Sequence, residues 1–171
     1  MNKIQELVLR YSTIFVLAIF HLILFYSLFK PLTIYPVFFF LKIFYKVNLM
    51  NNFIIFESFR VHLIPACIAA SAYFFLIFLN LSSPEIQPKK RFAAILFSFA
   101  ILLSLNILRI IAMVLIFIYG KNYFDITHKI FWYGLSTIFV LGIWFLEVYL
   151  FKIKSIPIYS DIKFLINQIR K

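Results

Sequence analysis

An all-α, polytopic helical membrane protein with about four transmembrane helices is expected from three features of this chain. Hydrophobic residues fill 64% and charged residues only 13% of its 171 positions, against roughly 45–50% and ~25% in a soluble domain. Four apolar runs, Tyr11 to Phe29, Pro65 to Leu81, Phe92 to Tyr119 and Ile130 to Phe151, approach or exceed the ~18 residues of a membrane-crossing helix. The Lys and Arg behind the net charge of +11 stand mostly between and beyond those runs, where they set topology and meet anionic head groups. They build no soluble basic face, so no nucleic-acid partner is expected.

The elements follow in order within a single membrane domain, 1–171. Residues 1–29 form an anchor span. Lys3 and Arg10 precede it as in a secretory signal, but no small-residue cleavage site follows around Tyr26 to Pro31, so the segment is expected to be retained. Residues 30–64 are expected on the extracytoplasmic side. There PLTIYPVFFFLKIFYKV (31–47) reads as an outer interfacial helix, with a short second span and an outside N-terminus as the alternative. ESFRVHLI (57–64) alternates polar and apolar, and Asn51-Asn52 suits a turn, which predicts a small hairpin at the membrane surface. Residues 65–151 hold three core spans. The tail, 152–171, places Ile158, Ile162, Leu165 and Ile169 on one helical face, as in a helix lying on the inner surface.

Charge orients these pieces. PEIQPKKR (84–91) carries Lys89, Lys90 and Arg91 and belongs in the cytoplasm by the positive-inside rule. The basic tail, two spans later, falls on the same side. Both termini are then cytoplasmic, while 47–64 and 120–129 face outward in the cell membrane.

On this map three reactive residues from three helices arrive at one depth. Cys67, the sole cysteine, follows Pro65, a natural first helical residue. Arg109 lies about 26 Å up from Phe92 at ~1.5 Å per residue, near the outer edge of a ~30 Å hydrocarbon core. His128 opens the last span. Each has a plainer reading as well: a lone Cys packs as a small hydrophobe, an Arg near a span end snorkels to head groups, and His128 sits beside an N-cap at Asp125 or Thr127. An arginine inside an apolar run is costly enough, ~2.5–3.5 kcal/mol near a helix centre, to mark a functional site. Asn106 stands three residues earlier on the same face, where its amide would orient the guanidinium or a substrate carbonyl.

The chemistry suits acyl transfer. First-turn amides at Cys67 would favour the thiolate and contribute to an oxyanion hole. His128 would take the thiol proton and return it to a leaving amine, and Arg109 would donate to the oxyanion or hold the substrate backbone. His62 is a second candidate base, His21 a packed histidine, and Glu147 an inner-side acid expected to pair with a tail lysine. No ligand spacing suggests a metal, one cysteine forms no internal disulfide, and no cofactor is expected.

An extracytoplasmic Cys opening a span, N-x-x-R from Asn106 to Arg109, and His128 in THKIFWYG resemble the exosortase and archaeosortase family of membrane transpeptidases over roughly Val47 to Trp144. The resemblance implies Cys67 as the nucleophile that forms a thioester, Arg109 as oxyanion or substrate donor and His128 as acid and base. It implies exported proteins with a C-terminal sorting signal as substrates, each with a short motif, a transmembrane helix and a basic tail. The acyl group would pass to a membrane lipid or another amine. At the cysteine the family commonly has C-S/T-G where this chain has Cys67-Ile68-Ala69. The alternative is a non-enzymatic membrane protein that binds lipid head groups or a membrane partner through Arg109. A transporter is disfavoured because the polar residues gather at one face.

Overall fold

The protein is described by a computed structural model covering residues 3–120, 124–130, 134 and 136–169. It is mostly helical, and its first helix, α1 (Lys3–Phe44), corrects the expected boundary at Phe29. The 42-residue helix passes through Pro31 and Pro36 without ending, so residues 31–44 continue the first helix and do not form a separate one. An interior proline costs ~3 kcal/mol. Here Thr33, Ile34, Val37 and Leu41, all buried, hold the second half of α1 in the core, and packing outweighs local propensity. At ~1.5 Å per residue α1 is about 63 Å long, twice a bilayer's hydrocarbon core.

The chain then forms an antiparallel meander, β1 (Asn48–Met50), β2 (Phe53–Ile55) and β3 (Arg60–His62). Leu49 pairs with Ile54, and Ile54 in turn with Val61. Asn51 turns the first hairpin at φ 54°, a conformation that Asn tolerates better than most residues. The expected hairpin is therefore present and enlarged to three strands. Ile54 and Leu63 join Val37, Leu41 and Val47 in one apolar core, and Asn52 donates to the Tyr26 hydroxyl at 3.1 Å.

A 3-10 turn, Pro65–Ile68, leads into α2 (Ala70–Leu81), followed by α3 (Pro88–Tyr119), α4 (Phe124–Ile130), α5 (Ser136–Leu150) and α6 (Tyr159–Ile169). α1 and α3 are long and apolar enough to cross a membrane. Only 17% of the most apolar window of α1 is buried, despite a mean hydropathy of 2.2, so its outer surface suits lipid and not water. Within the described residues α2 and α5 are shorter than the expected spans, with 12 and 15 residues. Part of the expected start of the last span (131–133 and 135) and the tail residues Arg170 and Lys171 lie outside the described residues.

Two poles result. At the first, Arg10 reaches the carbonyl of Leu81 at 3.0 Å and Oδ1 of Asp161 at 2.7 Å, while Tyr11 donates to Oδ2 of the same carboxylate. Arg91 donates to the carbonyls of Asn80 and Ser83, so two guanidinium groups satisfy carbonyls left open by the end of α2. The start of α1, the 84–91 loop and the tail thus share one pole. Glu147 lies deeper and corrects an expectation: among the described residues no lysine reaches it. It is fully buried and accepts from Ser98, with the Asn80 amide beside it. At the second pole Tyr45 and Tyr119 join hydroxyls at 2.8 Å, tying the ends of α1 and α3.

Removing Asp161 strands a guanidinium whose side chain is 9% exposed. Asp161→Ala is expected to cost ~3–5 kcal/mol, as for a broken buried pair. Glu85→Ala, which breaks the exposed Lys3–Glu85 pair, should cost ~1 kcal/mol or less. Thermal unfolding of the two variants in detergent checks the contrast.

Candidate functional site

Cys67 does not open α2. It is the third residue of the 3-10 turn, and its amide already donates to the Ile64 carbonyl at 2.8 Å. The expected role of first-turn amides at Cys67 is therefore corrected: the amide of Cys67 itself is occupied, and a turn of four residues is too short for the macrodipole argument. Ala69 separates the turn from α2 by adopting φ 58°, ψ 35°. This left-handed conformation costs an L-residue about 1–2 kcal/mol and a glycine almost nothing. Where the resembled motif has glycine, the demand here is thus on backbone conformation more than on side-chain size. Ile68, in place of Ser or Thr, is fully buried and serves the core.

Asn106 is buried on α3 and donates from Nδ2 to the Cys67 carbonyl at 2.8 Å. Its expected target was the guanidinium or a substrate carbonyl; its actual partner is the backbone of Cys67. One turn further along α3, Arg109 donates from Nη1 to the Ser136 hydroxyl at the start of α5, 2.9 Å away. The Arg109 guanidinium is also the principal charge acting on the Cys67 thiol. Three elements, the 3-10 turn, α3 and α5, thereby fix the thiol and the guanidinium relative to each other.

His128 lies in the last turn of the seven-residue α4, so the argument from a helix's first turn is corrected there as well. Its ring stacks on Phe124 at a centroid distance of 5.6 Å, and Phe124 meets Phe117 of α3 edge-on at 5.2 Å. This aromatic ladder ties α4 to α3. His21 lies remote from the site, its ring 4.7 Å from Phe74, where α1 packs on α2.

Cys67, Arg109 and His128 all line one cavity of about 280 Å³. Arg60 and His62 of β3 form part of its rim, and Ile110, Val114 and Phe117 of α3 form an apolar wall. No acid is among the described lining residues, so the cavity is polarised toward donors and positive charge. Sequence reasoning missed Ser136 and Arg60. Ser136 in GLST has no distinguishing spacing, whereas Arg60 and His62 alternate on a strand that places both beside the cavity.

Comparison with protein-family models, curated proteins and solved structures returns no match.

The strain at Ala69 is directly testable. Ala69→Gly should relieve ~1–2 kcal/mol in the folded state and lose ~0.4–1 kcal/mol to the greater freedom of the unfolded chain. A net gain of about 0.5–1 kcal/mol is expected, measured as a higher midpoint in thermal unfolding; a loss of stability would contradict the strain.

Proposed function

We propose that the protein is a membrane-embedded cysteine transpeptidase or protease that crosses the membrane four times. Its two shorter apolar helices complete the spans begun by α1 and α3, and the Cys67 cavity opens on the extracytoplasmic side. The observation that carries this reading is the cavity itself, where a thiol, a guanidinium and an imidazole from three separate elements line one space. It is the arrangement that the resemblance to exosortases and archaeosortases calls for.

In the mechanism, His128 accepts the thiol proton and the Cys67 sulfur attacks a substrate carbonyl. Arg109, oriented by Ser136, donates to the oxyanion of the tetrahedral intermediate. Collapse breaks the C–N bond, His128 returns the proton to the departing amine, and a Cys67 thioester remains. An amine acceptor, a lipid head group or another nucleophile, then attacks the thioester and releases the thiol; water in its place gives hydrolysis. Asn106 acts through Cys67 by fixing its backbone and is a positioning residue. The substrate is an exported protein whose C-terminal sorting signal places the scissile bond near the outer surface.

In cells expressing such a substrate, Cys67→Ala should reduce processing by ~10³-fold or more, and Arg109→Ala by ~10²–10³-fold. Undiminished processing by Cys67→Ala would falsify the mechanism, leaving Arg109 as a binder of lipid head groups. A labelled lipid amine on the new C-terminus separates transfer from hydrolysis.

A further inference from the structure

The sheet order β1-β2-β3 leaves β3 as an edge, and its pairing shows which groups are unused. Val61 faces Ile54, the Phe56 amide donates to the Phe59 carbonyl, and the Leu63 amide donates to the Asn52 carbonyl. Residues 59, 61 and 63 therefore turn their backbone groups toward β2, and by alternation Arg60 and His62 turn theirs away. Both residues are exposed. Among the described residues, no backbone or side-chain hydrogen bond reaches those outward groups.

The cavity tells what the edge faces. Arg60, Val61, His62, Leu63 and Ile64 all line it. A strand presenting a face to a cavity would contribute every second residue, since side chains alternate. All three residues of β3, Arg60 to His62, line it without alternation, the mark of an edge. The strand ends at His62, Pro65 opens the 3-10 turn, and Cys67 in that turn lines the same cavity. Across from β3 stands the apolar wall of α3.

We propose that the substrate binds as an extended polypeptide segment that adds a fourth strand to β3, pairs with the outward groups of Arg60 and His62, and runs into the cavity at Cys67. This deepens the reading above and rests on it, because the segment is the substrate of the Cys67 site. Main-chain bonds to two alternate residues hold the backbone whatever its sequence, and alternate side chains of the segment meet the α3 wall and open solvent. The cavity, about 280 Å³, lies just below the ~300–1,000 Å³ of ordinary ligand sites, which suits a short stretch of chain and not a folded domain. Edge pairing also keeps the scissile amide extended, the conformation in which its carbonyl stands clear for attack.

The test uses the full chain in detergent and an uncharged Ala-Val hexapeptide ending in a chloromethyl ketone. The Cys67 sulfur bonds to the methylene carbon, chloride leaves, and the thiol proton passes to buffer; mass spectrometry locates the adduct on the single cysteine. Single N-methylation is walked along the peptide. Strand addition predicts at least a tenfold fall in alkylation rate at every second amide and less than a twofold change at those between. A flat scan overturns the edge pairing while leaving Cys67 a competent nucleophile. If no peptide alkylates Cys67, the nucleophile reading fails, and hydrogen exchange decides the edge with the hexapeptide amide, which carries no electrophile. At least tenfold slower exchange at Arg60 and His62, with Val61 and Leu63 unchanged, supports the added strand; unchanged exchange at Arg60 and His62 overturns it.

Discussion

The hydrogen bond from Asn106 to the Cys67 carbonyl is the joint on which the site depends. The left-handed turn at Ala69 separates the 3-10 turn from α2, and Asn106 gives the Cys67 carbonyl a donor in the buried interior. A buried carbonyl without a donor would cost ~1–3 kcal/mol. The same bond bears on the proposed site, because Arg109 follows Asn106 by three residues, slightly less than a helical turn, and leaves α3 on nearly the same side. Whatever holds Asn106 against Cys67 therefore holds the guanidinium beside the thiol. Ser136 completes the constraint from α5 by taking a hydrogen bond from Arg109.

A joint between a turn and one helix is only as rigid as the helices around it, and these are fastened at the opposite end. Arg10 and Arg91 converge on the carbonyls that close α2, and Asp161 of α6 draws Arg10 into the tail. The Ile158 amide and the Ser155 hydroxyl reach the carbonyls of Ser82 and Pro84, so the tail grips the turn between α2 and α3. Charged groups are concentrated at this pole, where hydration is near, and the interior between the poles is aromatic. Tyr73 stacks on Phe29 at a centroid distance of 3.6 Å, and Phe99 packs edge-on to both. The ring faces need no polar partner and fill the centre between the poles, although the Tyr73 hydroxyl is buried there with no hydrogen-bond partner among the described residues.

Composition and run length make the helical character and the apolar surface legible, and the placement of Cys67, Arg109 and His128 along the apolar runs points to the one cavity that all three line. What stays hidden depends on single backbone angles and long-range packing. Pro31 and Pro36 argue for a break, yet α1 continues because Thr33 to Leu41 are packed into the core, a fact no local window contains. Pro65 signals a helix start correctly in kind, but the helix it begins is a 3-10 turn that closes at Ala69, and alanine gives no warning of a positive φ. Glu147 follows the same lesson. Its natural partner by charge was a tail lysine, but Ser98, two helices away in the chain, is the group that folding brings to it.

The depth of the site explains its composition. Arg109 stands about 32 Å up α3 from Pro88 at ~1.5 Å per residue, close to the full thickness of a hydrocarbon core. In the proposed four-span arrangement a guanidinium there would escape most of the ~2.5–3.5 kcal/mol charged at the centre of a span, while its partial burial would strengthen its field at Cys67 over that at a solvated surface. The proposed acyl transfer would need this compromise: dry enough to keep the guanidinium effective, wet enough for a polypeptide and an amine to enter. Ten residues of α3 beyond Arg109, with the second half of α1 and the meander, raise protein walls around that level. Polar backbone such as the edge of β3 is tolerated near lipid only where it lines such a protein-walled space, and in the proposed arrangement the cavity beside Cys67 would be that space.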